Sequence, residues 1–373
     1  MDRIFILQSH FFRCCALLGF MVLAQGLATA QLLPTLTNVT TVASTIPANG
    51  DLNPYGVAQV PATQGMLVEG NILVSNFNNT ANQQGTGSTI VQISPTGAVQ
   101  LFAQIDAKKL PGPCPGGVGL TTALVALRSG WVVVGSLPTS DGTSATIGAG
   151  CLIVLNANGN VVETISGGDI AGPWDMTAAD GDQTATLLVT NLLSNPKLNS
   201  TTPSNSATVV RVVLDVDDSD RPSVKSSTVI GSGFSVRFDP SALIIGPTGV
   251  ALDGNHDLLF VADSLNNRIA GIPNPLTRTD SADTGVTLSK GGALNDPLAM
   301  SRAPSGNIIV SNGGDGNLVE LTDDGLQVAT KSVDMSGSPP GSGALFGVLV
   351  VNDRVFFVDD AMNTLNVAAP DNH

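Results

Sequence analysis

The fold of this chain can be read from one stretch, Leu258-Leu-Phe-Val-Ala-Asp-Ser-Leu-Asn-Asn-Arg-Ile269. An apolar run ends in a small residue and an acid, and an Asn-rich turn then leads to Arg268 and a new apolar run. Fainter copies recur along the chain, at Asn71–Asn76, Leu187–Asn191, Asn307–Asn312 and Val355–Asp360. A repeat of short strands at roughly 50-residue spacing predicts a radial array of small sheets.

Each repeat divides into four predicted strands. The first follows a Pro-x-Gly-like corner, and the second is a continuous apolar run of the kind buried on both faces of a sheet. The last two form a hairpin, and turns such as Asn158-Gly159 and Asp324-Gly325 are strong hairpin signals because these residues tolerate positive φ. Six such units begin near Pro54, Leu120, Pro173, Pro247, Pro297 and Leu345.

The last unit lacks one strand, because the chain runs out near Pro370 after three. The segment from Val39 to Ile46 reads as a strand that precedes the first corner. We expect it to complete the last unit, since an open ring would leave sheet edges free to pair with other chains. The predicted fold is an all-β, six-bladed β-propeller of four-stranded blades, closed by this N-terminal strand.

Residues 1–30 have the pattern of a secretory signal peptide. An apolar run from Cys14 to Ala24 follows a charged start, and Ala28-Thr29-Ala30 offers the small residues of a cleavage site. We therefore expect a secreted or periplasmic protein whose mature chain starts near Gln31, with residues 31–373 forming one propeller domain. The apolar run is too short to cross a bilayer, and no later segment is suitable, so no membrane span is expected.

Composition narrows the classes of partner. The formal net charge is -14, from 16 basic and 30 acidic residues, and such a surface repels the phosphate backbone of nucleic acids. Hydrophobic residues make up 42% of the chain, which excludes intrinsic disorder. We expect a monomer that binds a small molecule, a glycan or a protein.

Removing the leader leaves two of the four cysteines, Cys114 and Cys151. In an oxidising compartment a lone pair most simply forms a disulfide, and closing this loop is worth about 4 kcal/mol in the chain-entropy model. The alternative is two separate buried thiols.

Two sets of residues are expected at one end of the ring, where the corners and the connections from second to third strands meet. Three of those connections are long, Phe77–Ser88, Leu137–Gly150 and Leu192–Ala207, and long loops on a rigid scaffold commonly bind partners. The alternative is that they are tolerated surface insertions.

The corner side chains form the first set. They are expected at the mouth of the central channel: Tyr55, Trp174, Thr248, Leu298 and Phe346. We predict that they line a pocket for an apolar or sugar-like ligand. The alternative is packing between blades.

The ends of the second strands form the other set. They are Asn76, Ser136, Asn191, Asp263, Asn312 and Asp359. Oxygen ligands converging on an axis can hold Ca²⁺, so all but Ser136 are candidate metal ligands. The alternative is that these side chains bond the backbone of their own turns.

The repeat resembles the NHL-repeat six-bladed β-propellers, relatives of the gluconolactonase, strictosidine-synthase-like and amidating-lyase propellers. The resemblance covers about residues 39–370 and is strongest at Pro247–Leu252 and Leu258–Ile269. It implies a fold and a binding face, and since propellers host many unrelated functions it does not imply a reaction.

What the relatives use for catalysis is mostly missing. The lactonase relatives hold one divalent metal with a glutamate, two asparagines and an aspartate, whereas Thr248 and Leu298 stand at the corresponding corners here. The amidating lyases need a set of zinc-bound histidines, and the mature chain has only His256 and His373. Strictosidine-synthase-like chemistry relies on a pocket acid, for which Asp175 is the best candidate; its alternative role is capping the turn after Pro173.

The first functional hypothesis is therefore a secreted, non-catalytic binding module that uses its long-loop face and channel mouth. The alternative is a gluconolactonase-like metal-dependent hydrolase or a strictosidine-synthase-like enzyme. A third reading, a purely structural matrix protein, predicts no saturable ligand.

Overall fold

The computed structural model describes residue 1 and residues 30–193, 200–217 and 220–371, so most of the predicted signal peptide lies outside the described residues. Strands β1 to β25 span, in chain order, Asn38–Ser44, Leu52–Gln59, Ile72–Asn78, Thr89–Ile93, Val99–Gln104, Leu120–Ala126, Val132–Ser136, Cys151–Leu155, Val161–Ile165, Pro173–Asp180, Thr184–Asn191, Ser204–Asp215, Ser223–Asp239, Leu243–Ile245, Pro247–Leu252, Leu258–Asp263, Arg268–Pro273, Val286–Lys290, Pro297–Arg302, Ile308–Asn312, Asn317–Leu321, Gln327–Ser332, Leu345–Val351, Arg354–Asp359 and Thr364–Ala369. Short 3-10 helices span Leu33–Thr35, Ala107–Lys109, Ser144–Thr146 and Ser264–Asn266.

The strands form six antiparallel sheets, which are the blades. Blades one to six consist of β2–β5, β6–β9, β10–β14, β15–β18, β19–β22, and β23–β25 with β1. The first strands of neighbouring blades contact one another in the order β2, β6, β10, β15, β19, β23, and β23 also contacts β2. The chain is thus a closed six-bladed β-propeller, as the sequence predicted.

Closure uses the predicted N-terminal strand. β1 pairs antiparallel with β25, from Asn38 opposite Ala369 to Ser44 opposite Thr364. Blade three departs from the four-stranded pattern. Its β13 is 17 residues long, and the chain turns back so that β14 pairs with the end of β13, Arg237 lying opposite Ile245.

The second strand of each blade lies in the core. Every residue of β3 and of β20 is buried, which explains their continuous apolar sequences. In three second strands, the hydroxyl directly before the Asn of the repeat joins two blades, as Thr190 of β11 shows. Thr190 Oγ1 accepts a hydrogen bond from the amide of Asp175 in its own blade (3.0 Å) and donates one to the carbonyl of Thr248 in the next (2.8 Å).

Two other blades repeat this clamp. Ser75 Oγ bridges Gly56 N and Thr121 O, and Ser311 Oγ bridges Ala299 N and Phe346 O. The Ser-Asn and Thr-Asn signature of the repeat therefore has a structural role, because each hydroxyl satisfies two buried backbone groups at once.

The corners bring the first strands close together. In all six blades the register between the first two strands shifts directly after the corner, as in a β-bulge. Gly249 and Gly347 follow two of these corners, and an added Cβ would lie 2.2 Å from Leu298 O and 2.3 Å from Tyr55 O respectively. Only glycine permits this approach.

The predicted disulfide is present. Cys114 is bonded to Cys151, with the two Cα atoms 5.2 Å apart, and it ties the connection before blade two to that blade's third strand. Among the described residues we find no helix with the length and apolar character needed to cross a membrane.

Candidate functional site

The five corner side chains meet at the propeller axis, where they line one small cavity of about 70 Å³. The Tyr55 ring is 2% exposed and stacks between Phe346 and Phe77, with ring centroids 3.9 and 4.4 Å away. Trp174 meets Tyr55 edge-on at 5.9 Å. Burial raises the pKa of the Tyr55 hydroxyl well above its usual value, and the charge of Asp360 adds to this rise.

This cavity is small for a ligand site. Small-molecule pockets commonly enclose about 300–1,000 Å³, whereas 70 Å³ holds a few water molecules. The aromatic rings therefore fill this end of the channel, which matches the packing alternative. Ligand binding by these five residues stays a prediction.

The long connections close over the same end. Gln84 Nε2 donates to the carbonyl of Ser241 (2.8 Å), and Thr139 N donates to Gly85 O (2.9 Å), so the loops of blades one and two bond to each other and to blade three. Ala242 and Ile244, beside and within β14, line the small cavity. The third long loop includes residues 194–199, outside the described residues.

The side chains that end the second strands bond locally. Asn191 Oδ1 accepts from the amides of Ala171 (2.9 Å) and Gly172 (2.7 Å), just before the corner of its own blade. Asp263 pairs with the nearly buried Arg268 at 3.0 Å.

Asn76 and Asn312 bond the connection that enters their own blade, whereas Asp359 bonds its own turn. Asn76 Nδ2 donates to Thr45 O at 3.0 Å, and Asn312 Nδ2 donates to Ala293 O at 2.8 Å. Asp359 accepts from Met362 N at 3.0 Å; burial raises its pKa to about 6, and neighbouring Asp334 adds to the rise.

The metal-ligand set implied by the resemblance does not fit these corners. Thr248 Oγ1 donates within the protein, 2.8 Å from Leu298 O, and the Leu298 side chain has no donor atom. Within the described ranges we find no cluster of three His, Cys, Asp or Glu side chains that could hold a metal.

The open part of the central channel lies at the opposite end of the propeller. It has a volume of about 340 Å³, and the later residues of all six first strands form its wall. Most of the lining is small or apolar, for example Val250, Met300 and Val348. This opening, rather than the looped face, has the size of a small-molecule site.

Asp175 lies in this channel. Its side chain is 9% exposed, and Oδ2 accepts a hydrogen bond from Val250 N at 3.2 Å. Burial raises the pKa of Asp175 to about 7, because the low-polarity channel disfavours its charged form. An acid with this pKa can donate or accept a proton near neutral pH.

Two charged residues line the outer part of the channel. Asp180 is paired with Arg128 at 3.8 Å. Arg302 is exposed and makes no ion pair within the described part of the chain. Its guanidinium lies against the turn at Gly254, where an added Cβ would sit 2.6 Å from Nη2. Sequence reasoning missed Arg302, which lies at the end of β19, the strand that carries the corner residue Leu298.

Solved structures share this fold at low sequence identity. A gluconolactonase from Xanthomonas campestris aligns with a TM-score of 0.55 at 12% identity, covering 89% of this chain and 90% of that chain. A protein of unknown function from Bacteroides thetaiotaomicron gives a TM-score of 0.52 at 11% identity, over 89% of this chain and 75% of its own. Virginiamycin B lyase from Staphylococcus aureus gives 0.49 at 12% identity, over 88% and 98%.

No protein-family model matches the sequence, and no curated protein matches it. At identities this low, the structural similarity shows the fold alone. The function must therefore be argued from the site.

Proposed function

We propose that the protein binds a small molecule in the open end of its central channel, with Asp175 as the polar anchor. One observation carries the proposal: a 340 Å³ channel, formed by all six blades, surrounds an acid that is almost fully buried. The proposal keeps the binding role expected from the sequence and moves it to the end of the channel away from the long loops.

The lining indicates the kind of molecule. Met176, Val250 and Met300 offer apolar and polarisable contact to a ligand body. Below a pH of about 7 the protonated carboxyl of Asp175 can donate a hydrogen bond, and above it the carboxylate can only accept one. A compact, largely apolar molecule with one polar group fits better than a glycan or a protein.

A second candidate function is acid–base hydrolysis in the same channel. A pKa of about 7 suits Asp175 to exchange protons with a substrate at neutral pH, and a solved gluconolactonase shares the fold. Lactones and simple esters are therefore the substrates to test first.

Secretion and calcium binding also stand as proposals. The leader-like N-terminus and the disulfide support an oxidising compartment. Among the described residues, the buried amide oxygens Asn76 Oδ1 and Asn312 Oδ1 have no hydrogen-bond partner, and this supports the idea that a cation or water reaches them. Melting in Ca²⁺ against melting in EDTA tests the ion.

The test is a thermal-shift and calorimetry screen with a panel of lactones, esters and amides. Ala178→Phe would fill the channel, since Ala178 is half-buried in its wall. Ala98→Phe, at an exposed turn on an outer hairpin, is the matched control. Compounds that raise Tm in the wild type and in the control but not in Ala178→Phe would support channel binding.

Asp175→Asn separates the two functions. If the protein only binds, this variant changes affinity for the compounds that shifted Tm and no turnover is seen in either protein. If it hydrolyses, the wild type turns over a lactone or ester, and the variant loses that turnover without any fall in Tm. Equal shifts in wild type and Ala178→Phe would contradict both.

A further inference from the structure

Glu320 is a buried acid that the channel function does not use. It lies on β21 of blade five and is 0% exposed. Its carboxylate accepts hydrogen bonds from Leu32 N (2.8 and 2.9 Å), Leu33 N (2.8 Å) and Asn307 Nδ2 (2.7 Å). In the described part of the chain, no Lys, Arg or His nitrogen forms an ion pair with it.

Two of these donors belong to the backbone at the start of the predicted mature chain. Leu32, Leu33 and Leu36 are buried in one apolar cluster with Leu318 and Leu345, so the segment is held between blades five and six. The contacts to Glu320 come from backbone N–H groups, so they fix the path of the chain and do not depend on which side chains Leu32 and Leu33 carry. That path leads the chain before Leu32 toward the carboxylate.

The residue before Leu32 is Gln31, at the expected cleavage site. Adjacent backbone nitrogens are less than about 3.8 Å apart, the spacing of successive Cα atoms. Leu32 N is 2.8 Å from Glu320, which places Gln31 N within about 7 Å of the carboxylate. In the uncut chain this nitrogen is a neutral amide, whereas after cleavage it is an ammonium group.

We propose that the bond between Ala30 and Gln31 is a processing site, and that Glu320 is the receptor for the ammonium group that cleavage creates. A protease of the signal-peptidase class would add one water across this amide. Ala30 would leave with the new carboxylate, and Gln31 would keep the nitrogen as an ammonium. The pairing would give the buried acid the positive partner that the described residues do not supply.

The pairing predicts a stability change with a defined sign. A nearby carboxylate raises the pKa of an amine above its ordinary value of about 7.7–8. The stabilisation is complete below that unfolded value and is lost as the pH rises through the higher folded value. The charged groups on the strands that share the segment's apolar cluster are Glu320, Arg302 and Lys331 in blade five and Arg354 and Asp359 in blade six, and all of them are present in every variant compared below except Glu320→Gln.

The experiment expresses the full chain in a host that secretes it. N-terminal sequencing and intact mass should show a chain that starts at Gln31 with a free amine. A variant with Gly-Ser inserted between Ala30 and Gln31 keeps Glu320 but moves the ammonium group away. The wild type should melt about 1–2 °C higher than this variant at pH 7, as an ion pair of ordinary strength would give, and the gap should close by about pH 9.5.

Asn307→Ala is the matched control, since it removes a neutral donor to the same carboxylate. It should lower Tm by the same amount at both pH values. Glu320→Gln is a second test variant for the case in which the inserted chain is not cut after Ala30. The Tm difference between wild type and Glu320→Gln should also shrink as the pH rises.

Three results would overturn the proposal. A mature terminus at another residue removes the processing site. The side chain of an N-terminal Gln31 can cyclise onto its own nitrogen with loss of ammonia, which removes the ammonium charge. If the cyclised protein melts at the same temperature as the protein with a free amine, the charge does not contribute to stability. A Tm gap that does not change with pH shows that Glu320 binds only neutral groups.

Discussion

Replacing Asp175 by Asn should stabilise the protein more strongly as the pH rises. The pKa of Asp175 is raised from 3.8 to about 7 in the folded protein, chiefly by burial. Its proton is therefore bound more tightly in the folded than in the unfolded state. As the pH climbs from about 4 to about 7, the unfolded chain releases this proton first, and the folded state loses stability relative to it.

The magnitude follows from the size of the shift. A rise of about three pKa units corresponds to about 4 kcal/mol, expressed fully above pH 7 and absent below pH 4. Between pH 5 and pH 8 the change is about 3 kcal/mol. Asn has nearly the same shape, and its amide oxygen can still accept the hydrogen bond from Val250 N, so the variant removes the ionisation while leaving the contact.

The assay is urea unfolding of both proteins at pH 5, 6, 7 and 8. The free energy of unfolding of wild type, minus that of Asp175→Asn, should fall by about 3 kcal/mol across the series. Burial also raises the pKa of Asp296, Asp359 and Asp360, but these acids are present in both proteins, and their effects cancel. A difference that stays flat, or that grows in favour of the wild type, would refute the assignment of a buried, proton-retaining acid to the channel.

Other changes test three interactions that hold the fold together: an inter-blade hydrogen bond, the disulfide and the aromatic stack. Thr190→Val should lower the free energy of unfolding by about 1–3 kcal/mol, because two buried backbone groups lose their partner. The control Thr330→Val, on an exposed outer strand, should change this free energy by less than about 0.5 kcal/mol. Equal effects of the two substitutions would contradict the role of Thr190 in joining two blades. Reducing the Cys114–Cys151 disulfide should lower Tm, by up to about 4 kcal/mol in equivalent free energy, and an unchanged melt would show that this loop is held by packing alone. Tyr55→Ala should cost about 3–5 kcal/mol as the aromatic stack opens, whereas Tyr55→Phe should cost less than about 1.5 kcal/mol; the reverse order would show that the hydroxyl matters more than the ring.

The fold could be predicted because the repeat reflects local requirements of each blade. Runs such as Ile308–Asn312 are apolar throughout because both faces of that strand are buried. The corner glycines follow from strand crowding, as at Gly249. The fifth strand of blade three was not predicted, since nothing in Leu243–Ile245 distinguishes a short added strand from a loop.

The site could be predicted only in part. Corner position alone indicated that residues such as Tyr55 and Phe346 would meet at the axis, and the structure brings them together. Whether that end of the channel is open depends on how much of the axis the aromatic rings fill and on where the chain places Ala242 and Ile244. No local sequence pattern encodes either of these. Asp175 was found from the sequence because it is the one acid at a corner, but its placement in the open channel required the structure.

Crystallographic fragment soaking tests the central claim most directly, that small molecules enter the channel from the end away from the long loops. We predict electron density for small lactone or amide fragments in the 340 Å³ channel, in contact with Asp175 and Met300. Channel density for ordered water alone, with fragments bound instead among the long loops, would contradict the account.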